Sequence, residues 1–207
     1  KGVEIDKITN SQVTVDVTPN RPDLLSLHGF WRFVLQQLGK KGDLKFQINK
    51  PEKNYSVNIE KSVKGVRPYT VCAIVKKLNF NDEKIKEIID IQEKLHNSIG
   101  RKRKKVAIGI YPFEKIKTPI KFLAQSPKDI VFQPLEFDRE LNALEILEKH
   151  PAGKEYGHLL EGQKKFPVFR DANDEVLSVP PIINSHKTGK ISEKTKDQRF
   201  IRKNIYL

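Results

Sequence analysis

The chain has 207 residues, of which 31% are charged and 37% hydrophobic, a balance typical of soluble globular proteins. Its 39 Lys and Arg residues outnumber 26 Asp and Glu residues, which gives a formal net charge of +13. This excess favours a polyanionic partner, either nucleic acid or an anionic membrane surface, although charge that only keeps the protein soluble explains it equally well. No apolar run is long enough to span a membrane, and no signal peptide is visible, so we expect a cytoplasmic protein.

The single cysteine, Cys72, excludes an internal disulfide and a zinc site built on cysteines. It lies in the apolar run 71–75, which predicts a buried and unreactive thiol. A reducing cytosol fits this cysteine usage. Because the chain begins at Lys1 rather than at a methionine, we interpret it as part of a longer protein.

Residues 1–50 are predicted to form a small first unit of α+β structure. Period-two alternation over residues 12–17 predicts a strand, and residues 18–23 form a turn. A helix is expected from this turn to about Leu38, followed by a strand at 44–48. Residues 51–66 are then interpreted as a linker and an entry strand.

Residues 67–197 are predicted to form a second, larger unit, and residues 198–207 remain an unassigned tail. The predicted elements are a strand from Tyr69 to Val75, a helix from about Asn81 to Ile99, a strand from Lys105 to Ile110, a helix that begins at the capping pair Asn142 and Glu145, and a short helix from about Ala152 to Leu160. Strands interleaved irregularly with few helices predict an α+β fold with mixed sheets.

The segment 165–184 is typical of two short strands that flank an acidic turn and then run into the corner Pro180-Pro181. Proline fixes φ and cannot donate to a sheet, so a strand has to end there. The hydroxyl of Ser178 and the amide of Asn184 are thereby held on stiff backbone beside apolar side chains. Such an arrangement favours a small specificity pocket, while an ordinary strand–turn–strand explains the spacing alone equally well.

Five consecutive cations follow the predicted helix that ends near Ile99, namely Arg101, Lys102, Arg103, Lys104 and Lys105. Positive charge at a helix C-terminus explains one or two of them. A run of five can neutralise several phosphates without reading bases. Contact with a nucleic-acid backbone and a merely solvated charge run both remain open.

Metal and nucleotide motifs are absent from the sequence. The five histidines, His28, His96, His150, His158 and His186, show no spacing typical of a metal site. No phosphate-binding loop, dinucleotide fingerprint or serine-nucleophile elbow occurs, so ATP chemistry has no support in this chain.

Four stretches resemble, in the same order, motifs of one known family: TPNRPDLLS at 18–26, LHNSIGRKRKKVAIG at 95–109, EKHPAGKEY at 148–156 and LSVPPIIN at 177–184. The family is the β subunit of phenylalanine–tRNA ligase in its archaeal/eukaryal-type form. The first stretch resembles part of the subunit's domain B1, and the later ones resemble its B3/B4 editing domain. Their co-occurrence over most of the chain makes the resemblance specific.

The resemblance implies that residues 1–50 are part of B1 and that 67–197 are the editing domain, which hydrolyses mischarged Tyr-tRNA(Phe). By motif position, Ser178 and Asn184 are expected as polar pocket residues and Phe169 and Leu177 as pocket wall. The carboxylates of Asp171 and Glu175 are nearby and are weak candidates for ordering a water, so the catalytic group is unknown. Arg101 to Lys105 are expected to bind tRNA.

The resemblance also implies partners and cofactors for the whole enzyme, which attaches phenylalanine to tRNA(Phe). The expected partners are this tRNA and the alpha subunit, in a heterotetramer of two alpha and two beta subunits. We expect no cofactor or metal for this part, and ATP with Mg²⁺ for the whole enzyme.

Two stretches depart from the family pattern. Where the family typically has Gly-Ile-His-Asp-Leu, residues 109–113 read GIYPF, and the acid and threonine expected in a strand after Asp197 are absent from 198–207. Either the chain lacks part of the editing site, or residues are missing from the sequence after about Asp197. The alternative function is therefore a non-catalytic tRNA-binding or subunit-packing module with a degenerate editing site.

Overall fold

The computed structural model describes residues 3–40, 48–51, 55–76, 78, 80–189 and 198–205. The strands are β1 (Val3–Ile8), β2 (Val13–Val17), β3 (Val57–Ile59), β4 (Val71–Lys76), β5 (Val106–Pro112), β6 (Ile120–Gln125), β7 (Val131–Phe132), β8 (Leu141–Asn142), β9 (Phe166–Arg170), β10 (Val176–Val179), β11 (Ile183–Asn184) and β12 (Gln198–Ile205). The helices are α1 (Leu27–Gln37), α2 (Asp82–Asn97), α3 (Ala143–Lys149), α4 (Pro151–Tyr156) and α5 (His186–Gly189). Sheets of mixed pairing with a few helices confirm the α+β prediction.

The N-terminal unit consists of the antiparallel pair β1–β2 followed by helix α1. The helix begins later than the sequence predicted, because Pro22–Leu25 first form a 3₁₀ turn. The Ser26 hydroxyl then accepts a hydrogen bond from the Gly29 backbone N–H and so defines the helix start at Leu27. The strand predicted at 44–48 falls largely on residues outside the described ranges.

The main sheet has five strands in the order β11-β10-β9-β6-β3. Strand β3 pairs in parallel with β6, and the other neighbours are antiparallel. Phe122 of β6 and Phe169 of β9 are fully buried and stack with their ring centroids 4.1 Å apart. This pair lies in one of two buried apolar clusters, and the other packs helix α3 against strands β9 and β10.

A second sheet has three strands, with β12 between β4 and β5 and antiparallel to both. The sequence predicted no structure for the segment that forms β12. Cys72 of β4 is half-buried rather than fully buried as expected, and its side chain packs against the apolar cluster that contains Phe122. Among the described residues no helix is both long and apolar enough to cross a membrane.

Helix ends follow the local signals in the sequence. The Asn81 side chain accepts from the Lys84 backbone N–H and starts α2. Asn142 and Glu145 form the predicted reciprocal capping box at α3. His150, whose backbone ends α3, caps α4 through Nδ1, which accepts from the Ala152 backbone N–H. The division of the chain at residues 50 and 66 stays a prediction.

Candidate functional site

A cavity of about 150 Å³ opens between helix α2, strand β5 and the corner formed by Pro180 and Pro181. Its apolar wall comes from the corner, from β5 and from Leu135. Its polar groups come from α2, the loop before β5, β5 itself and the hairpin β10–β11: Gln92, His96, Arg103, Tyr111, Ser178 and Asn184. Small apolar-walled cavities with few convergent polar groups are typical of ligand sites.

Ser178 and Asn184 both line the cavity, as the sequence predicted. They are directly opposite each other in the antiparallel pair β10–β11, which the Pro180-Pro181 corner closes. Ser178 is 2% exposed, and Asn184 is half-buried. The corner therefore brings a hydroxyl and an amide to one wall, while their part in recognising a ligand stays a prediction.

Phe169 and Leu177, expected as pocket wall, are instead fully buried in the apolar cluster around Phe122. Leu177 belongs to that cluster, whereas Ser178 next to it lines the cavity. Neither residue is among those that line the cavity. Val179 and the prolines supply the wall in their place.

Asp171 and Glu175, the weak candidates for ordering water, also lie outside the cavity lining. Asp171 is buried, and its carboxylate oxygens accept from the backbone N–H groups of Lys117, Asn173 and Glu175 at 2.8–3.2 Å. Glu175 is exposed, and its Oε1 lies 2.6 Å from the Lys187 ammonium. Both carboxylates bind partners in the β9–β10 turn and its surroundings. Neither therefore lies beside a ligand bound in the cavity.

Tyr111 is a cavity residue that the sequence did not nominate. Its hydroxyl donates to Asn184 Oδ1 at 2.8 Å, and its side chain is buried. The ring lies against Gly109, where an added Cβ would come within 2.7 Å of the Tyr111 hydroxyl oxygen. The signal that could have found it is the departure at residues 109–113, where tyrosine replaces the histidine typical of the family.

His96 is a second residue that sequence reasoning missed as a site residue. It lies one helical turn after Gln92 on the same face of α2, and this spacing was the available signal. Its Nε2 accepts the Ile108 backbone N–H at 2.8 Å, so Nδ1 carries the proton and donates to Glu93 Oε1 at 3.1 Å. Because both ring nitrogens are engaged, His96 joins α2 to β5 rather than offering a free base.

Glu93 links this histidine to the basic loop. The hydrogen bond from His96 is the main cause that holds the pKa of Glu93 below its ordinary value, with the positive charge of Arg103 adding to it against the opposing effect of burial. A carboxylate whose pKa is lower in the folded state stabilises the fold above its unfolded pKa and loses this effect as the pH falls.

We expect Glu93→Gln to flatten the acid side of the pH–stability curve. The wild-type free energy of unfolding should fall as the pH drops through and below the ordinary value of 4.5, and the variant should lose less over the same interval. Urea unfolding at pH 7 and in the acid range measures this. The exposed Glu83→Gln is the matched control on the same helix. If the wild type and Glu93→Gln lost equal free energy of unfolding as the pH fell, the lowered pKa of Glu93 in the folded state would be contradicted.

The five cations predicted to bind nucleic acid do not share one orientation. Arg101, Lys102, Lys104 and Lys105 are exposed, whereas Arg103 is half-buried and lines the cavity. The backbone of Arg101 to Arg103 is left-handed, with φ angles of 48°, 52° and 66°. Four cations thus remain available to phosphates, and their role as tRNA contacts stays a prediction.

Comparison with known proteins assigns this fold to one class, the N-terminal region of an aminoacyl-tRNA synthetase subunit. A crystal structure of an N-terminal fragment of the phenylalanyl-tRNA synthetase beta subunit from Pyrococcus horikoshii superposes with a TM-score of 0.87 at 37% identity, covering 100% of this chain and 60% of that fragment. No family model matches the chain.

Curated relatives name the same subunit. The phenylalanine–tRNA ligase beta subunit of Thermococcus sibiricus is 46% identical over 86% of this chain, and that of Archaeoglobus fulgidus is 41% identical over 95%. The chain spans 31% and 35% of the length of these two relatives. It therefore belongs to the phenylalanine–tRNA ligase beta-subunit family and corresponds to part of the N-terminal region, which confirms the resemblance drawn from its motifs.

Proposed function

We propose that this part of the subunit hydrolyses the ester of tyrosine wrongly attached to tRNA(Phe). The observation that supports this is the cavity wall in which Ser178, Asn184 and Tyr111 place hydrogen-bonding groups among apolar ones. In this proposal the whole enzyme attaches phenylalanine to tRNA(Phe) together with an alpha subunit, and ATP and Mg²⁺ serve that reaction rather than this cavity.

The chemistry of discrimination explains why such a cavity is needed. A pocket shaped for phenylalanine rejects the added hydroxyl of tyrosine only about 10²-fold. A second site that hydrogen-bonds the tyrosyl hydroxyl rejects phenylalanine far more strongly, because its own buried polar groups would be left unpaired. In this proposal the groups that recognise the tyrosyl hydroxyl are buried Ser178 and the hydrogen-bonded pair Tyr111–Asn184.

An aminoacyl ester is already activated, so its hydrolysis depends on placing a water and stabilising the oxyanion more than on a strong base. The described residues of the cavity lining include no carboxylate, and the His96 ring nitrogens are both engaged. The side-chain amide of Gln92 donates to the Ile108 carbonyl and helps to hold β5 against α2. The cavity therefore offers positioning and hydrogen-bond donors, without a general base among these residues.

The direct test compares hydrolysis of Tyr-tRNA(Phe) and Phe-tRNA(Phe) by the full-length beta subunit assembled with its alpha subunit. We expect release of tyrosine at least about 10⁴-fold faster than release of phenylalanine, as a hydrogen-bonding second site requires. Uncatalysed deacylation in buffer is the baseline. If neither ester is hydrolysed above that baseline, the editing proposal fails.

One observation favours the second candidate, a non-catalytic tRNA-binding or subunit-packing module. The segment that forms β12 contains neither an acid nor a threonine. This candidate predicts salt-sensitive tRNA binding that weakens when the exposed cations between Arg101 and Lys105 are neutralised, without hydrolysis of either ester.

A further inference from the structure

Arg103 joins three separate parts of the molecule at the cavity. Its Nη2 donates to Glu93 Oε1 of α2 at 3.0 Å, and its Nη1 faces the carbonyl oxygens of Pro181 and Ile182 at 3.5 and 3.3 Å. Its guanidinium carbon lies 4.0 Å from the centre of the Tyr156 ring. A planar guanidinium can make hydrogen bonds along its edge and stack through its face at the same time.

The backbone holds this inward orientation from both sides. The Arg103 carbonyl oxygen accepts from Arg67 Nη2 at 2.9 Å, and Arg67 is itself 3% exposed. The Arg103 backbone N–H donates to the carbonyl of His96 at 3.4 Å. Three successive residues with positive φ, none of them glycine, are rare and persist only where the surrounding structure imposes them.

From these contacts we propose that the basic loop, residues 101–105, is divided between two tasks. The exposed Arg101, Lys102, Lys104 and Lys105 bind the phosphates of the nucleic acid. Arg103 is instead a positioning residue of the cavity, and it holds the wall at Pro181 and Ile182 against helix α2. This inference rests on the proposed function, because it assigns Arg103 to the same cavity.

The substitution Arg103→Lys distinguishes a phosphate-binding role of Arg103 from its role in positioning the cavity wall. A phosphate contact tolerates Lys in place of Arg, since both supply a positive charge. A group that bridges a carboxylate and two carbonyls while stacking on a ring needs the planar fork, which lysine lacks. Arg103→Lys therefore keeps the charge of the loop and removes only the positioning role. Arg101→Lys is the matched control at an exposed position of the same loop, and Lys102→Ala removes one exposed charge.

Two readouts are needed on the assembled enzyme. The first is the slope of log affinity for uncharged tRNA(Phe) against log salt, which falls by about 0.7–0.9 for each lost phosphate contact. The second is kcat and KM for release of tyrosine from Tyr-tRNA(Phe). We expect Arg103→Lys to keep the wild-type slope and to lower kcat at least about tenfold. Lys102→Ala should lower the slope and raise KM, and Arg101→Lys should keep the wild-type slope.

The opposite pattern would overturn the inference, namely Arg103→Lys with wild-type kcat, or Arg103→Ala with a slope reduced as in Lys102→Ala. If the wild type hydrolyses no ester, the proposed function fails separately. Arg103 is then tested by calorimetric binding of 3′-(L-tyrosylamino)-3′-deoxyadenosine, an amide that cannot be deacylated. Binding that is lost in Arg103→Lys and kept in Arg101→Lys supports the positioning role, whereas equal binding by both variants, or none by the wild type, refutes it. Circular dichroism of each variant confirms that a loss is not unfolding.

Discussion

Replacing Asn184 with alanine is expected to lower the preference for Tyr-tRNA(Phe) over Phe-tRNA(Phe) at least about tenfold. The change removes an amide from the cavity wall and leaves the buried Tyr111 hydroxyl without this acceptor. One lost hydrogen bond of this kind corresponds to about 1.5 kcal/mol, or roughly a factor of ten in the ratio of kcat/KM values. Single-turnover deacylation of the two esters measures the ratio directly.

Tyr111→Phe completes the test as a double-mutant cycle with Asn184→Ala. If the two side chains act as a pair, the double variant should lose little more discrimination than either single variant. Ile183→Val, a neighbour in the same strand that also lines the cavity, is the control for small changes in packing. Additive losses from Tyr111→Phe and Asn184→Ala would show that the two residues contribute separately. Unchanged discrimination in Asn184→Ala would remove this residue from the site.

The parts of the fold that the sequence predicted well are those decided by local chemistry. The short apolar run Phe166 to Phe169, the turn that follows and the proline corner are local signals for strands β9 and β10. The capping pair at Asn142 is equally local. Strand β12 was not predicted because its segment mixes cations with isolated apolar residues, and its pairing with β4 and β5 comes from chain segments about 100 residues away.

The cavity shows the same division between local and distant information. Ser178 and Asn184 were found because a single hairpin positions both of them. Tyr111, His96 and Arg103 meet them only after α2 and β5 pack against the proline corner, and no spacing in the sequence encodes that contact. Asp171 was only a weak candidate for ordering a water, because a carboxylate in a turn is usually solvated. In the structure three backbone N–H groups converge on it instead.

Asp171→Ala is expected to lower the free energy of unfolding by about 3 kcal/mol without changing the preference between the two esters. The substitution leaves the N–H groups of Lys117, Asn173 and Glu175 without their carboxylate acceptor, and hydrogen bonds to a charged group cost the most to lose. Urea unfolding at neutral pH measures the loss. Glu175→Ala is the matched control, because its ion pair with Lys187 is exposed to solvent and its loss should leave the free energy of unfolding nearly unchanged.

These two variants also decide between structural and catalytic roles for the turn acids. Losing a water-ordering carboxylate would lower kcat in the folded protein, whereas losing a turn-stabilising one lowers only the amount of folded protein. Deacylation is therefore measured per folded molecule, at a temperature well below the midpoint of unfolding of Asp171→Ala. If kcat instead fell by about a hundredfold or more at unchanged stability, Asp171 would be a water-ordering residue rather than a turn-stabilising one. Wild-type kcat at reduced stability is the expected result, because the Asp171 oxygens point to backbone donors and lie outside the cavity lining.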